Sequence, residues 1–135
     1  MGFFSKLFGN KEEELKKAAD AGDADAQLEL GQMYAEGDGV HKDISRAMRW
    51  FLKAAEQGKV EAQYYVAHAY THGNGLPKDD KLAAKWLQKA ADQGLNLAQF
   101  ALGVLYHRGQ GVERDPVKGA YWQDKARANG YRDGM

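Results

Sequence analysis

The chain is predicted to fold as an all-α solenoid: three 36-residue helix-turn-helix repeats preceded by one extra helix. Three observations predict this. Trp50, Trp86 and Trp122, the only tryptophans among 135 residues, stand 36 residues apart. The same ungapped step links Gly37, Gly73 and Gly109, and also Gly39, Gly75 and Gly111, Tyr34, Tyr70 and Tyr106, Asp43, Asp79 and Asp115, and Gly58, Gly94 and Gly130. Within each period, apolar residues recur three or four apart in two runs separated by the glycine pair, which is helical spacing. Self-similarity at such a period marks stacked units that contact mainly their neighbours and offer a partner an extended surface.

The elements follow in order. Residues 11–21 sit 36 positions upstream of the second half of the first full repeat: Lys17, Ala18, Ala19 and Gly22 match Lys53, Ala54, Ala55 and Gly58. They read as the second helix of a truncated repeat covering the open face of the first. In repeat one, Ala26, Leu30, Met33 and Tyr34 give a first helix over 24–36. Ala47, Trp50, Phe51, Ala54 and Ala55 give a second over 44–57. Repeat two repeats the pattern over 60–72 and 80–93, and repeat three over 96–108 and 116–129. Asp43, Asp79 and Asp115 stand where a carboxylate can accept from the free N–H groups of a second helix. Pro116 follows at the position where a missing N–H costs little. Gly58, Gly94 and Gly130 close the second helices. The small residues Gly31, Ala67 and Gly103 would let two helices approach closely.

The domain plan is a short apolar segment over 1–10 and one repeat domain over 11–135. The domain divides into a half-repeat at 11–22, repeats at 23–58, 59–94 and 95–130, and a tail at 131–135. At the far end, Phe51 and Leu87 are replaced by Gln123, and Ala55 and Ala91 by Arg127. These positions share a helix face. Gln123 and Arg127 are therefore expected to be exposed, as on a polar cap, and Phe51 and Leu87 to be buried between repeats. The three tryptophans are expected to be core.

Composition narrows the function classes. With 19 basic and 19 acidic residues the net charge is zero, so no global field recruits nucleic acid or anionic membrane. Mean hydropathy is −0.68, and no apolar run approaches the roughly 20 residues that span a bilayer. There is no cysteine, which removes disulfides and thiolate metal sites. The N-terminus lacks the long apolar core of a secretory signal, and Lys6 stands where a myristoylation pattern has Ser or Thr. The expected location is the cytoplasm. Phe3, Phe4, Leu7 and Phe8 with Lys6 and Lys11 could touch a membrane interface, which would make a membrane-surface-tethered regulator; packing on the first helix competes with that reading. The GxG triplets lack a preceding strand and precede an Asp, so they read as turns and not phosphate loops.

The string Ala26-Gln27, Leu30-Gly31, Tyr34, Gly37, Gly39-Val40, Asp43, Ala47, Trp50, Lys53-Ala54-Ala55 and Gly58 resembles the Sel-one-like repeat family, a branch of the tetratricopeptide-type solenoids. Repeat two departs at Val66, Ala67 and Leu76, and repeat three at Gly119 and Arg127. The resemblance implies a right-handed α/α solenoid and a bacterial, non-catalytic adaptor or scaffold that binds a protein or peptide. It also implies an alternative, β-lactam binding or hydrolysis, known from cysteine-rich members; this chain has no cysteine and no clustered nucleophile, base and orienter.

In related solenoids the first helix of each repeat lines the concave face. The resemblance therefore implies partner-binding residues Leu28, Gln32 and Glu36 in repeat one. In repeat two they are Tyr64, His68, Thr71 and His72, and in repeat three Phe100, Val104, His107 and Arg108. The repeats agree in their core positions and differ along this line, and Tyr64 and Phe100 are aromatics of the kind that anchor interfaces. His68 and His72, four apart, have a spacing that can hold zinc. No acidic or thiol ligand is near in sequence, so they are read as polar rim residues. No metal, cofactor or nucleic acid is expected, and the chain is expected to be a monomer.

Overall fold

The computed structural model describes residues 10–133. The apolar segment with Phe3, Phe4, Leu7 and Phe8, and with it the suggested membrane contact, lies outside the described residues. Within them the chain forms seven helices and no strand: α1 (Asn10–Asp20), α2 (Ala24–Glu36), α3 (Ile44–Glu56), α4 (Val60–His72), α5 (Asp80–Asp92), α6 (Asn96–Arg108) and α7 (Pro116–Ala128). Each substantial helix contact is between neighbours in chain order. That is the packing of a solenoid, whose core is a strip of interfaces and not one centre.

Each repeat closes by the same local chemistry. Gly37 ends α2 with φ at 72°, and its N–H donates to the Met33 carbonyl at 2.8 Å. A left-handed residue is needed there, and glycine adopts it without steric cost. The chain then doubles back until the Asp43 N–H reaches the Tyr34 carbonyl at 2.9 Å, and the Asp43 carboxylate accepts from the Arg46 N–H at 3.0 Å. Asp79 and Asp115 cap α5 and α7 in the same way. Within a repeat the two helices meet at a small residue. A Cβ on Gly31 would lie 2.6 Å from the Phe51 ring, and one on Gly103 would lie 2.8 Å from the Gly119 carbonyl.

Between repeats the join is made by buried glutamines. Gln27, Gln63 and Gln99 are at most 4% exposed. Their amides donate backwards, to the carbonyls of Ala19, Ala55 and Ala91, at 3.0, 3.2 and 3.1 Å. Their side-chain oxygens accept in turn from Gln57, Gln93 and Asn129, at 2.8, 2.8 and 2.9 Å. The Gln57 and Gln93 amides also reach the Gly22 and Gly58 carbonyls. Because Gln27 bonds to α1 as Gln63 bonds to α3, α1 occupies the place of a preceding second helix. Among the described residues no buried side-chain polar atom lacks a partner.

Phe51 and Leu87 are buried between repeats, as expected. Two other expectations are corrected. Trp86 and Trp122 are buried, but Trp50 is only partly so: it packs on the edge of the core with the Lys53 ammonium 4.8 Å from its ring centroid. Arg127 is exposed, whereas Gln123 is half-buried, because the missing side chain at Gly103 leaves room for it against α6.

Two outcomes follow. Gln63→Leu keeps the volume but removes the bonds to Ala55 and Gln93, and should cost about 1–3 kcal/mol in urea unfolding. An unchanged midpoint would mean that the glutamines follow the fold without holding it. Trp86→Ala should cost about 3–5 kcal/mol, and Trp50→Ala distinctly less. Equal losses would contradict their different burial.

Candidate partner-binding groove

The first helices of the repeats, α2, α4 and α6, carry two clefts that share a wall. The first, about 450 Å³, lies between repeats one and two; Gln32 and Glu36 of α2 face Tyr64, Tyr65 and His68 of α4 across a floor of Ile44, Met48 and Phe51. The second, about 280 Å³, lies between repeats two and three; Tyr64, His68, Thr71 and His72 face Val104 and Arg108 across Leu87 and Leu105. Tyr64 and His68 belong to both, so α4 forms a ridge between them.

The structure thus brings together eight of the residues expected to line the inner face: Gln32, Glu36, Tyr64, His68, Thr71, His72, Val104 and Arg108. The other three lie elsewhere. Leu28 is half-buried against the core. Phe100 stacks on Tyr131, centroids 4.2 Å apart and 12° from parallel, with the Arg127 guanidinium 5.7 Å from its ring. The segment after α7 therefore covers the inner face at this point. His107 turns towards α7, where its Nε2 lies 3.2 Å from Gln123 Oε1. A Cβ on Gly119 would lie 2.7 Å from its ring. Position 119 is alanine in the other two repeats, at Ala47 and Ala83, and glycine where the facing residue is the larger histidine. His107 is thus held apart from His68 and His72.

Other lining residues lie outside the first helices. Ile44, Met48, Phe51 and Leu87 come from second helices; of these, Phe51 and Leu87 were expected only as buried core, and Ile44 and Met48 were not singled out. Asn74 and Gln110 come from the loops, each between the paired glycines of its repeat. That place holds Asp38, Asn74 and Gln110, a variable polar residue between repeated glycines, which was the available signal. Gln110 donates to Asp80 Oδ1 at 3.3 Å, and Lys78 donates to the same oxygen at 2.9 Å. Lys78 first and Gln110 second hold the Asp80 carboxyl below its ordinary range.

The ridge is poised electrostatically. The His68 and His72 rings lie 4.4 Å apart. His68 is exposed at the rim, but partial desolvation of its ring first, and the neighbouring His72 second, hold its imidazole below its usual value. Burial also raises the Tyr64 phenol, with a smaller contribution from Tyr131. Near neutral pH Tyr64 and His68 are therefore uncharged. Among the described residues no three of His, Cys, Asp and Glu come together as a metal site would require. The Thr71 hydroxyl donates to the Ala67 carbonyl at 2.9 Å, a local helical bond.

Comparison with known proteins bears on this geometry. A family model described as the Sel1 repeat matches residues 24–59, 60–95 and 96–131. A Sel1 repeat protein of Oxalobacter formigenes has a crystal structure similar to this fold, with a TM-score of 0.81 and 40% identity over 89% of this chain and 90% of that one. A protective antigen of uropathogenic Escherichia coli strains, displaying an SLR fold, aligns with a TM-score of 0.82 and 44% identity over 89% of this chain and 26% of that one. The cysteine-rich protein B of Helicobacter pylori shares the fold at a TM-score of 0.69 and 22% identity, covering 90% of this chain and 92% of that one. In sequence, the secretory immunoglobulin A-binding protein EsiB of Escherichia coli O6:H1 is 51% identical over 39 residues, 29% of this chain and 8% of that protein's length.

The depressed imidazole makes a pH prediction. The unfolded chain takes up a proton at position 68 near the ordinary value of about 6.5, while the folded chain resists it. Stability is therefore intact above about 6.5 and declines as pH falls towards and through the lowered folded value. The urea midpoint should drop between about pH 7.5 and pH 5.5, and by less in His68→Gln. Identical drops in the two proteins would remove His68 as the cause.

Proposed function

Because the chain belongs to the Sel1 repeat family, whose solenoids are typically protein-interaction scaffolds, we propose that it is a non-catalytic adaptor that holds a protein or peptide segment in its concave groove. One observation carries the reading. Two apolar-floored clefts with polar rims adjoin along the first helices, and the aromatic Tyr64 stands between them, open to both. Such a constellation suits side chains of an extended partner, because large rigid aromatics in desolvated pockets dominate binding energy. The similarity to a protein named for binding secretory immunoglobulin A supports a protein as the class of partner. That particular partner is not carried over, since the match spans 39 residues.

The test is affinity capture from the native cell with the intact chain and with Tyr64→Ala, both checked for helicity. Loss of a central aromatic anchor costs at least about 2 kcal/mol in binding, roughly thirtyfold. The captured partner should therefore be largely lost from the variant while the fold is kept. Undiminished capture by a folded Tyr64→Ala protein would move the site off the groove.

A further inference from the structure

We propose that the groove is polarised and takes an extended peptide segment in one charge order: a basic residue beside Glu36, two apolar side chains in the clefts, and a carboxylate beside Arg108. The inference deepens the groove reading above and rests on it.

The charges are distributed simply. In the first cleft Glu36 is the one lining residue with a fixed charge, and in the second it is Arg108. Both are exposed, and among the described residues neither is in a salt bridge. Two further charges near the groove already have partners. Asp80, beside the second cleft, is held by Lys78 and Gln110. Arg127 pairs with Asp124 at 3.6 Å and lies over Phe100. The ridge of Tyr64 and His68 between the clefts is uncharged near neutral pH. A ligand laid along the groove therefore meets an unpaired anion at one end, apolar floor and neutral polar edges in the middle, and an unpaired cation at the other end. A polyanion would meet Glu36, and a polycation Arg108; a segment with one charge of each sign satisfies both.

Size and path agree with this. Glu36, His72 and Arg108 occupy the same position in successive repeats, near the C-terminal ends of the first helices. The N-terminal half of α6 is closed by the Phe100–Tyr131 stack, which confines a ligand to the line of the clefts. Successive first helices make no substantial contact with one another, so they stand at least about one helix diameter, roughly 10 Å, apart, and the two charges are separated by about 20 Å or more. An extended chain covers that in about six or more residues at roughly 3.3 Å each. The clefts differ in volume, about 450 Å³ against 280 Å³. The larger, floored by Phe51 and Met48, suits an aromatic side chain, and the smaller, floored by Leu87 and Leu105, suits an aliphatic one.

The test is selection from a random twelve-residue peptide display library on the full chain and on the charge-exchanged variant E36R/R108E. The wild type should enrich peptides with a basic and an acidic residue about six or more apart and apolar residues between them. The exchanged variant should enrich the reverse charge order along the peptide, whichever way the peptide lies. Exposure of both positions means the variant should fold, and circular dichroism verifies this. If it does not fold, Glu36→Gln and Arg108→Gln are titrated singly with a synthetic peptide from the wild-type selection. Each should weaken binding about two- to fivefold, the range of an exposed ion pair, with no further loss when the matching peptide charge is also neutralised. Charge-independent enrichment, or one order selected by both proteins, overturns the polarity and leaves the groove standing. Failure to enrich any peptide that Tyr64→Ala releases overturns the groove reading, and the polarity with it.

Discussion

The bond from a buried glutamine to the carbonyl of the preceding second helix sets the geometry of the whole array. A solenoid has no central core to correct an error, so the angle between units must be set at each joint. Apolar contacts are non-directional and tolerate sliding. An amide buried to 4% exposure or less is different: displaced from its carbonyl it would leave unpaired polar atoms with no water to satisfy them. Each joint therefore has one favoured register, enforced by Gln27 on Ala19, Gln63 on Ala55 and Gln99 on Ala91. The clefts inherit this precision, since each is walled by residues of two successive repeats.

The fold was legible because its determinants repeat. The glycines that reverse the chain, the aspartates that cap the second helices and the small residues at the crossings all recur in register, and each has one physical role. Gln27 recurred just as clearly in the family string, yet its role did not show, because a glutamine on a helix face is ordinarily solvated; only the opposing carbonyl reveals it. Trp50 departs from its expected burial for a related reason. A repeated tryptophan implies a repeated environment, but burial also depends on what the neighbouring units supply.

The groove was partly legible. The inner line through Gln32, Glu36, Tyr64, His68, His72, Val104 and Arg108 could be placed from the helical period once the concave face was assigned. His107 could not, because its direction is decided by the cavity opposite, and Gly119 makes that cavity. Phe100 shares its repeat position with Tyr64, but its surface is taken by Tyr131, a residue outside the helical pattern. Floor residues such as Phe51 and Leu87 serve two surfaces at once, so a core assignment concealed their second role. A residue's repeat position specifies its backbone setting, and its neighbour in space specifies its use.

The interchangeable joints have a consequence for how such a groove can change. Removing residues 60–95 as a block would bring Gln99 to face Ala55, the carbonyl that Gln63 now engages, and the amide chemistry would be the same. The hydrogen-bonded joint therefore permits whole 36-residue steps, with the side chains around it left to refit, as where Tyr65 on the Phe51 ring would give way to Ala101. Each step adds or removes one cleft and at least about 10 Å of path. Recognition length in this architecture is quantised, and affinity for a linear partner can be adjusted by counting repeats as well as by altering side chains.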